Sequence, residues 1–109
     1  MDRNRVVLGK MLEELKFLQE DVKNVDFDGF MNNERLKRSV AMTLINIGEL
    51  VRHLEKDFRK SRTDLPFDDI IGLRDIAAHG YKTLRFDDIW ELVQKDVPEL
   101  KQKIKNIIG

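Results

Sequence analysis

Apolar residues recur at three- and four-residue steps through most of this chain, the period of a helix with one buried face. Leu8, Met11, Leu15, Leu18 and Val22 form the first such stripe. The stretch from Asn24 to Gly29, rich in Asn, Asp and Gly, interrupts it. Leu36, Val40, Leu44, Ile47, Val51, Leu54 and Phe58 then make one continuous stripe. It predicts a helix from about Asn33 to Lys60, about 40 Å long, with Asn32 or Asn33 as N-cap. Pro66 opens a third helix, because proline is tolerated where an amide N–H has no helical partner, and that helix ends near His79 or Gly80. A fourth begins near Phe86 and carries Ile89, Trp90 and Val93.

Beyond it, Asp96-Val97-Pro98-Glu99 has the arrangement of a capping box and reads as a new helix start leading to Leu100, Ile104, Ile107 and Ile108. The competing reading is one long final helix kinked at Pro98. No segment alternates as a strand does. The expectation is an all-α fold, an up-and-down antiparallel bundle of four to five helices, with residues 1–109 as a single domain. The repeated Phe-Asp-Asp-Ile, at Phe67 to Ile70 and Phe86 to Ile89, reads as two helix N-termini whose carboxylates face the positive end of the dipole.

Composition narrows the chemistry. Charged residues make up 37% of the 109, yet Lys+Arg and Asp+Glu balance at 20 each, so any nucleic-acid contact must come from a local patch. The absence of cysteine removes disulfides, thiol catalysis and cysteine metal sites. Two histidines and acidic doublets that read as helix starts offer no convergent ligands, so no metal and no cofactor are expected. No apolar run approaches the roughly 20 residues of a membrane span, and Met1-Asp2-Arg3-Asn4-Arg5 leads into no signal-type core. A cytoplasmic protein without a membrane partner is expected.

The candidate chemistry lies in Arg74-Asp75-Ile76-Ala77-Ala78-His79-Gly80-Tyr81, at the closing end of the third helix. Arginine is a fixed cation for a phosphate, and histidine moves protons near neutral pH. On a regular helix Arg74 and His79 lie about 140° apart, so they can converge only on something broad, such as a groove between helices or subunits. Asp75 and His79 are spaced i, i+4 and can touch, so that Asp75 would orient the imidazole. The alternative is that His79 caps the helix end while Arg74 pairs with a surface carboxylate. Attack of a ribose 2′-hydroxyl on phosphate needs a base, an acid and nearby cations. One chain offers one such histidine, so this chemistry argues for a homodimer with two copies of Arg74 and His79 in one cleft.

Arg74-x4-His79-x-Tyr81 resembles the Arg-x4-His-x-Tyr signature of HepT-like toxins in the HEPN superfamily. The similarity extends to Phe30 with Glu34-Arg35, to Ile47-Gly48-Glu49, to Leu65-Pro66-Phe67, to Ile89-Trp90, and to Asp96-Val97-Pro98-Glu99-Leu100. The resemblance implies a dimeric, metal-independent ribonuclease toxin with Arg74 and His79 catalytic. It also implies an antitoxin partner, a minimal nucleotidyltransferase of the MntA type. That enzyme would transfer AMP from ATP to Tyr81 and so block the RNA site. The chain departs from the family at Asp75, where many relatives carry asparagine, and at Phe67, where tryptophan is frequent. A rival reading is a non-catalytic subunit that presents substrate to a nucleotidyltransferase, and a third is a purely structural helical dimer.

Arg52, Lys56 and Arg59 follow at i, i+4, i+7 and belong to a stretch with a local excess of three positive charges. They are a candidate RNA-contacting patch, or else a solvated face. His53 adjoins Val51 and Leu54 and reads as packing rather than catalysis. Trp90 reads as core, with base stacking the alternative. Met11, Met31 and Met42 read as core or interface filler.

Overall fold

A computed structural model describes residues 2–109 and contains six α-helices among them. They are α1 (Arg3–Asp21), α2 (Phe27–Met31), α3 (Glu34–Arg52), α4 (Lys56–Ser61), α5 (Phe67–His79) and α6 (Phe86–Ile108). A 3-10 turn, Tyr81–Thr83, follows α5, and the described residues contain no strand. The fold is all-α, an antiparallel bundle of four long helices with two short ones between them.

Side-chain caps start the first three helices. Asp2, Asp26 and Asn33 accept from the backbone N–H groups of Asn4, Gly29 and Leu36, donors that helix geometry leaves unpaired. The expected break after Val22 is a turn in which Asn24 takes a positive φ of 61°. It also contains α2, an added short helix that buries Phe30 completely.

Helix α3 is central: it packs against both α1 and α5, while α6 lies on α1. The first stripe is buried at Leu8, Met11, Leu15 and Leu18, and the second at Val40, Leu44, Ile47 and Val51. Burial of side chains of this size stabilises by about 1.5–3 kcal/mol each before conformational entropy is subtracted.

The long second helix expected from Asn33 to Lys60 is divided. It stops at Arg52, and α4 begins at Lys56. The backbone N–H groups of His53 and Leu54 turn back to Leu50 and Val51, three residues behind. Residues of α1 secure the break: Asn4 Oδ1 accepts from the Glu55 N–H at 3.0 Å, and Arg3 Nε donates to the His53 carbonyl at 2.9 Å. Leu54 is still buried and Phe58 half-buried, so the apolar spacing continues across a helix end.

At the C-terminus the long-helix alternative holds, for α6 runs through Pro98 without ending. Val93, Val97, Leu100 and Ile104 form one buried stripe on both sides of it. Gln94, whose carbonyl would have paired with an amide at position 98, is exposed, and so is Pro98 itself. Water can therefore satisfy the orphaned carbonyl.

An interior proline costs a helix roughly 3 kcal/mol relative to alanine. Pro98→Ala should therefore raise stability by on the order of 1 kcal/mol or more, read as a higher urea midpoint with an unchanged slope. A helix start at Pro98 would make the same substitution neutral or destabilising.

Candidate active site

Helix α5 carries the motif, and α3 supplies most of what surrounds it. Gly48 is buried in α3 where the two helices meet, and a Cβ built there would lie 2.3 Å from Arg74 Cβ and 2.6 Å from its Cγ. Only glycine lets the Arg74 stem rest directly on the α3 backbone. From there the guanidinium reaches Glu49, whose Oε1 lies 2.7 Å from Arg74 Nε. Both atoms are shielded from water, and their alignment is that of an ion pair rather than a directed hydrogen bond.

Asp75 does not pair with His79. Its Oδ1 accepts from Arg74 Nη1 at 3.1 Å, and its two oxygens accept from Arg52 Nη2 at 2.9 and 3.1 Å. Both arginines hold the carboxylate through charge-assisted hydrogen bonds. Asp75 thus bridges two guanidinium groups and is no orienter of His79. Arg52, Glu49, Arg74 and Asp75 form a network of two positive and two negative side chains.

His79 occupies the last turn of α5 and is exposed. Among the described residues, no side chain bonds its imidazole. Arg74 faces α3 while His79 faces solvent, in keeping with their separation around the helix. Gly80 closes α5, its N–H bonding the Ile76 carbonyl at 2.8 Å.

Tyr81 follows in the 3-10 turn and is half-buried. Its ring packs against Phe86 at 5.4 Å between centroids, and the Arg38 guanidinium lies 4.7 Å above it. The hydroxyl donates to Glu34 Oε1 at 3.0 Å. Burial, then the adjacent Glu34 carboxylate, pushes the Tyr81 phenol above its ordinary value. The same hydrogen bond holds the Glu34 carboxyl below the usual range, helped by Lys37 and Arg38.

The candidate RNA patch is not one face. The helix break leaves Arg52 on α3, paired with Asp75, and carries Lys56 and Arg59 onto α4. Lys56 and Arg59 instead line an open cavity of about 670 Å³ with Lys60 and Arg62. Arg59 lies 4.0 Å from Asp68 there. His53 is exposed at the turn rather than packed. Trp90 packs tilted against Phe30 at 5.2 Å and edge-to-face with Phe27 at 6.4 Å between ring centroids, a packing role. Met11 is buried, Met31 half-buried, and Met42 56% exposed on α3.

Among the described residues, no three His, Asp or Glu side chains gather as metal ligands, and no helix is long and apolar enough to cross a membrane. Glu34, Arg38 and Glu49 had no role from sequence reasoning. The readable signal was Gly48, a glycine inside an otherwise regular apolar pattern, which marks a close backbone approach.

Residues 11–107 match the family model described as ribonuclease HepT-like. The chain is 36% identical over 108 residues to a candidate RNase of Caldanaerobacter subterraneus subsp. tengcongensis, covering 99% of this chain and 96% of that one. It is 31% identical over 101 residues to a candidate RNase of Methanocaldococcus jannaschii, covering 93% of each. No solved structure matches the chain.

Two measurements test this geometry. Gly48→Ala should destabilise the fold by roughly 1–3 kcal/mol, because overpacking at 2.3 Å outweighs the gain of about 1 kcal/mol from alanine in a helix. A denaturation midpoint equal to wild type would contradict the close approach. Tyr81 is the sole tyrosine, so alkaline absorbance reports it alone. Its titration midpoint should lie above the ordinary value of about 10. Glu34→Gln should lower it by removing a negative charge, without a full return, because burial is the larger cause. A midpoint unmoved by that substitution would contradict the Glu34 contact.

Proposed function

The chain belongs to the ribonuclease HepT-like family, and from that membership we propose that it is the toxin of a type VII toxin–antitoxin pair, a dimeric and metal-independent endoribonuclease. The observation that carries the reading is the end of α5. There a guanidinium locked against α3 and an unengaged imidazole stand one helical turn and a residue apart.

In the proposed reaction the ribose 2′-oxygen attacks the adjacent phosphorus, and the bond to the 5′-oxygen breaks. His79 of one copy takes the 2′-hydroxyl proton, and His79 of the second copy protonates the departing 5′-oxygen. The two Arg74 side chains hold the phosphate and offset the charge that builds on its oxygens. Asp75 holds Arg52 beside Arg74, so Arg52 is a further cation at the same site.

A second copy is supported by the face that α5 leaves uncovered. Gly72, Ile76 and His79 follow at i, i+4, i+7; Ile76 is 52% exposed, and a Cβ at Gly72 would meet open space. Pairing across that face would set two imidazoles in one cleft. Control is proposed to run through Tyr81, with an MntA-type nucleotidyltransferase transferring AMP from ATP to its oxygen. The added phosphodiester, two residues from His79, would obstruct RNA. The rival reading, a non-catalytic substrate-binding subunit of the nucleotidyltransferase, finds support in the two carboxylates that neutralise Arg74 and Arg52.

His79→Ala and Arg74→Ala should each lower cleavage of RNA at least about a hundredfold, and EDTA should not inhibit the wild type. Circular dichroism should show both variants helical, with Arg74→Ala the less stable because it removes the side-chain stem packed on Gly48. In mixed dimers of wild-type and His79→Ala chains, which keep one imidazole where the reaction uses two, most of the activity should be lost. Full cleavage by either variant would remove the catalytic assignment, and a fully active monomer would remove the dimer.

A further inference from the structure

Beside the Arg74–His79 site lies a second polar cluster, built on the first turns of α3. Glu34 accepts the Tyr81 hydroxyl at 3.0 Å. Arg38 Nε lies 3.2 Å from the same carboxylate oxygen, and Lys37 Nζ lies 3.6 Å from the other. Lys37 is largely covered and lies 4.9 Å from the centre of the Phe86 ring, while Glu34 and Arg38 keep 56% and 60% of their side-chain surface open. Phe86 and Arg38 both pack against the Tyr81 ring, so its oxygen has a defined direction.

A neutral phenol is a weak nucleophile, and transfer of a nucleotidyl group to it is helped by a base at hydrogen-bond distance. We propose that Glu34 is a catalytic residue of Tyr81 modification, resting on the reading of Tyr81 as acceptor given above. Glu34 accepts the phenolic proton as the Tyr81 oxygen bonds to the α-phosphorus of a nucleoside triphosphate. The bond from that phosphorus to the bridging oxygen breaks, and pyrophosphate leaves with the electron pair. The proton passes from Glu34 to solvent. The Tyr81 hydrogen bond, with Lys37 and Arg38 beside it, holds the Glu34 carboxyl below its usual range, so at neutral pH it is the ionised form that meets the phenolic hydrogen.

The product also rearranges the cluster. An esterified Tyr81 oxygen has no hydrogen to donate, so Glu34 loses its partner and faces a new phosphodiester anion. Arg38, exposed and already over the ring, is the cation within reach of that anion. The acceptor site therefore carries its own base and its own counter-charge, both from α3.

The test follows the initial rate of AMP addition to Tyr81 by mass spectrometry, using the full chain, the cognate nucleotidyltransferase, ATP and magnesium. Glu34→Gln keeps the size and hydrogen-bonding ability of the side chain but cannot serve as base. At neutral pH it should be modified at least about a hundredfold more slowly than wild type, and the deficit should shrink about tenfold per pH unit as the phenol ionises by itself. Glu34→Asp should recover part of the neutral-pH rate, because a carboxylate is restored. Tyr81→Phe should take no AMP and identifies the acceptor.

Equal rates for wild type and Glu34→Gln would overturn the proposal while leaving Tyr81 the acceptor. A deficit that stays constant with pH would also overturn it, reducing Glu34 to a clasp on the 3-10 turn. Wild-type protein that takes no AMP at Tyr81 would overturn the acceptor reading and this one together.

Discussion

The contact between Gly48 and Arg74 is the constraint on which the rest of the site depends. With no side chain at Gly48, α5 settles against α3 closely enough for the Arg74 stem to touch the α3 backbone. That approach delivers the guanidinium to Glu49 and brings Asp75 within reach of Arg52. It also sets the direction in which α5 ends, and so where His79 emerges and where the turn carries Tyr81. At the other end of α3, Glu34 meets that tyrosine. One helix thus supplies the partners of Arg74, Asp75 and Tyr81. A shift between α3 and α5 would disturb all three contacts together.

The charges at the site nearly cancel. Arg52 and Arg74 face Glu49 and Asp75, a local echo of a chain with 20 basic and 20 acidic residues. This arrangement differs from an open basic surface that attracts any polyanion. Any anion approaching Arg74 and Arg52 must compete with two carboxylates for the guanidinium groups. Competition of this kind weakens non-specific binding and favours ligands that also engage other groups, such as the imidazole of His79. The Glu49–Arg74 pair is only partly covered, with 45% of the Glu49 side chain open to water, so it adds little stability by itself. Its value lies in holding Arg74 in one place.

The sequence by itself determined the helical class, the start of α3 at its Asn33 cap, and the apolar stripes that became the core. These are local properties: a period of 3.6 residues, or a cap three residues from the amide it serves. It also brought Arg74, His79 and Tyr81 forward, because their residue types and spacing stand in one short run. Tertiary structure decided the rest. The expected helix through Lys60 broke because Asn4 and Arg3, about fifty positions away, bind the backbone at Glu55 and His53. Asp75, free to meet His79 on an isolated helix, was taken by Arg52 from another helix. Pro98 remained inside α6 because the stripe from Val93 to Ile104 stays buried on both sides of it. Glu34 and Tyr81 stand 47 positions apart and meet only through the packing of α3 against α5. Periodicity reports which face of a helix is buried; which charged groups then meet depends on distances between helices, and those exist only in the folded chain.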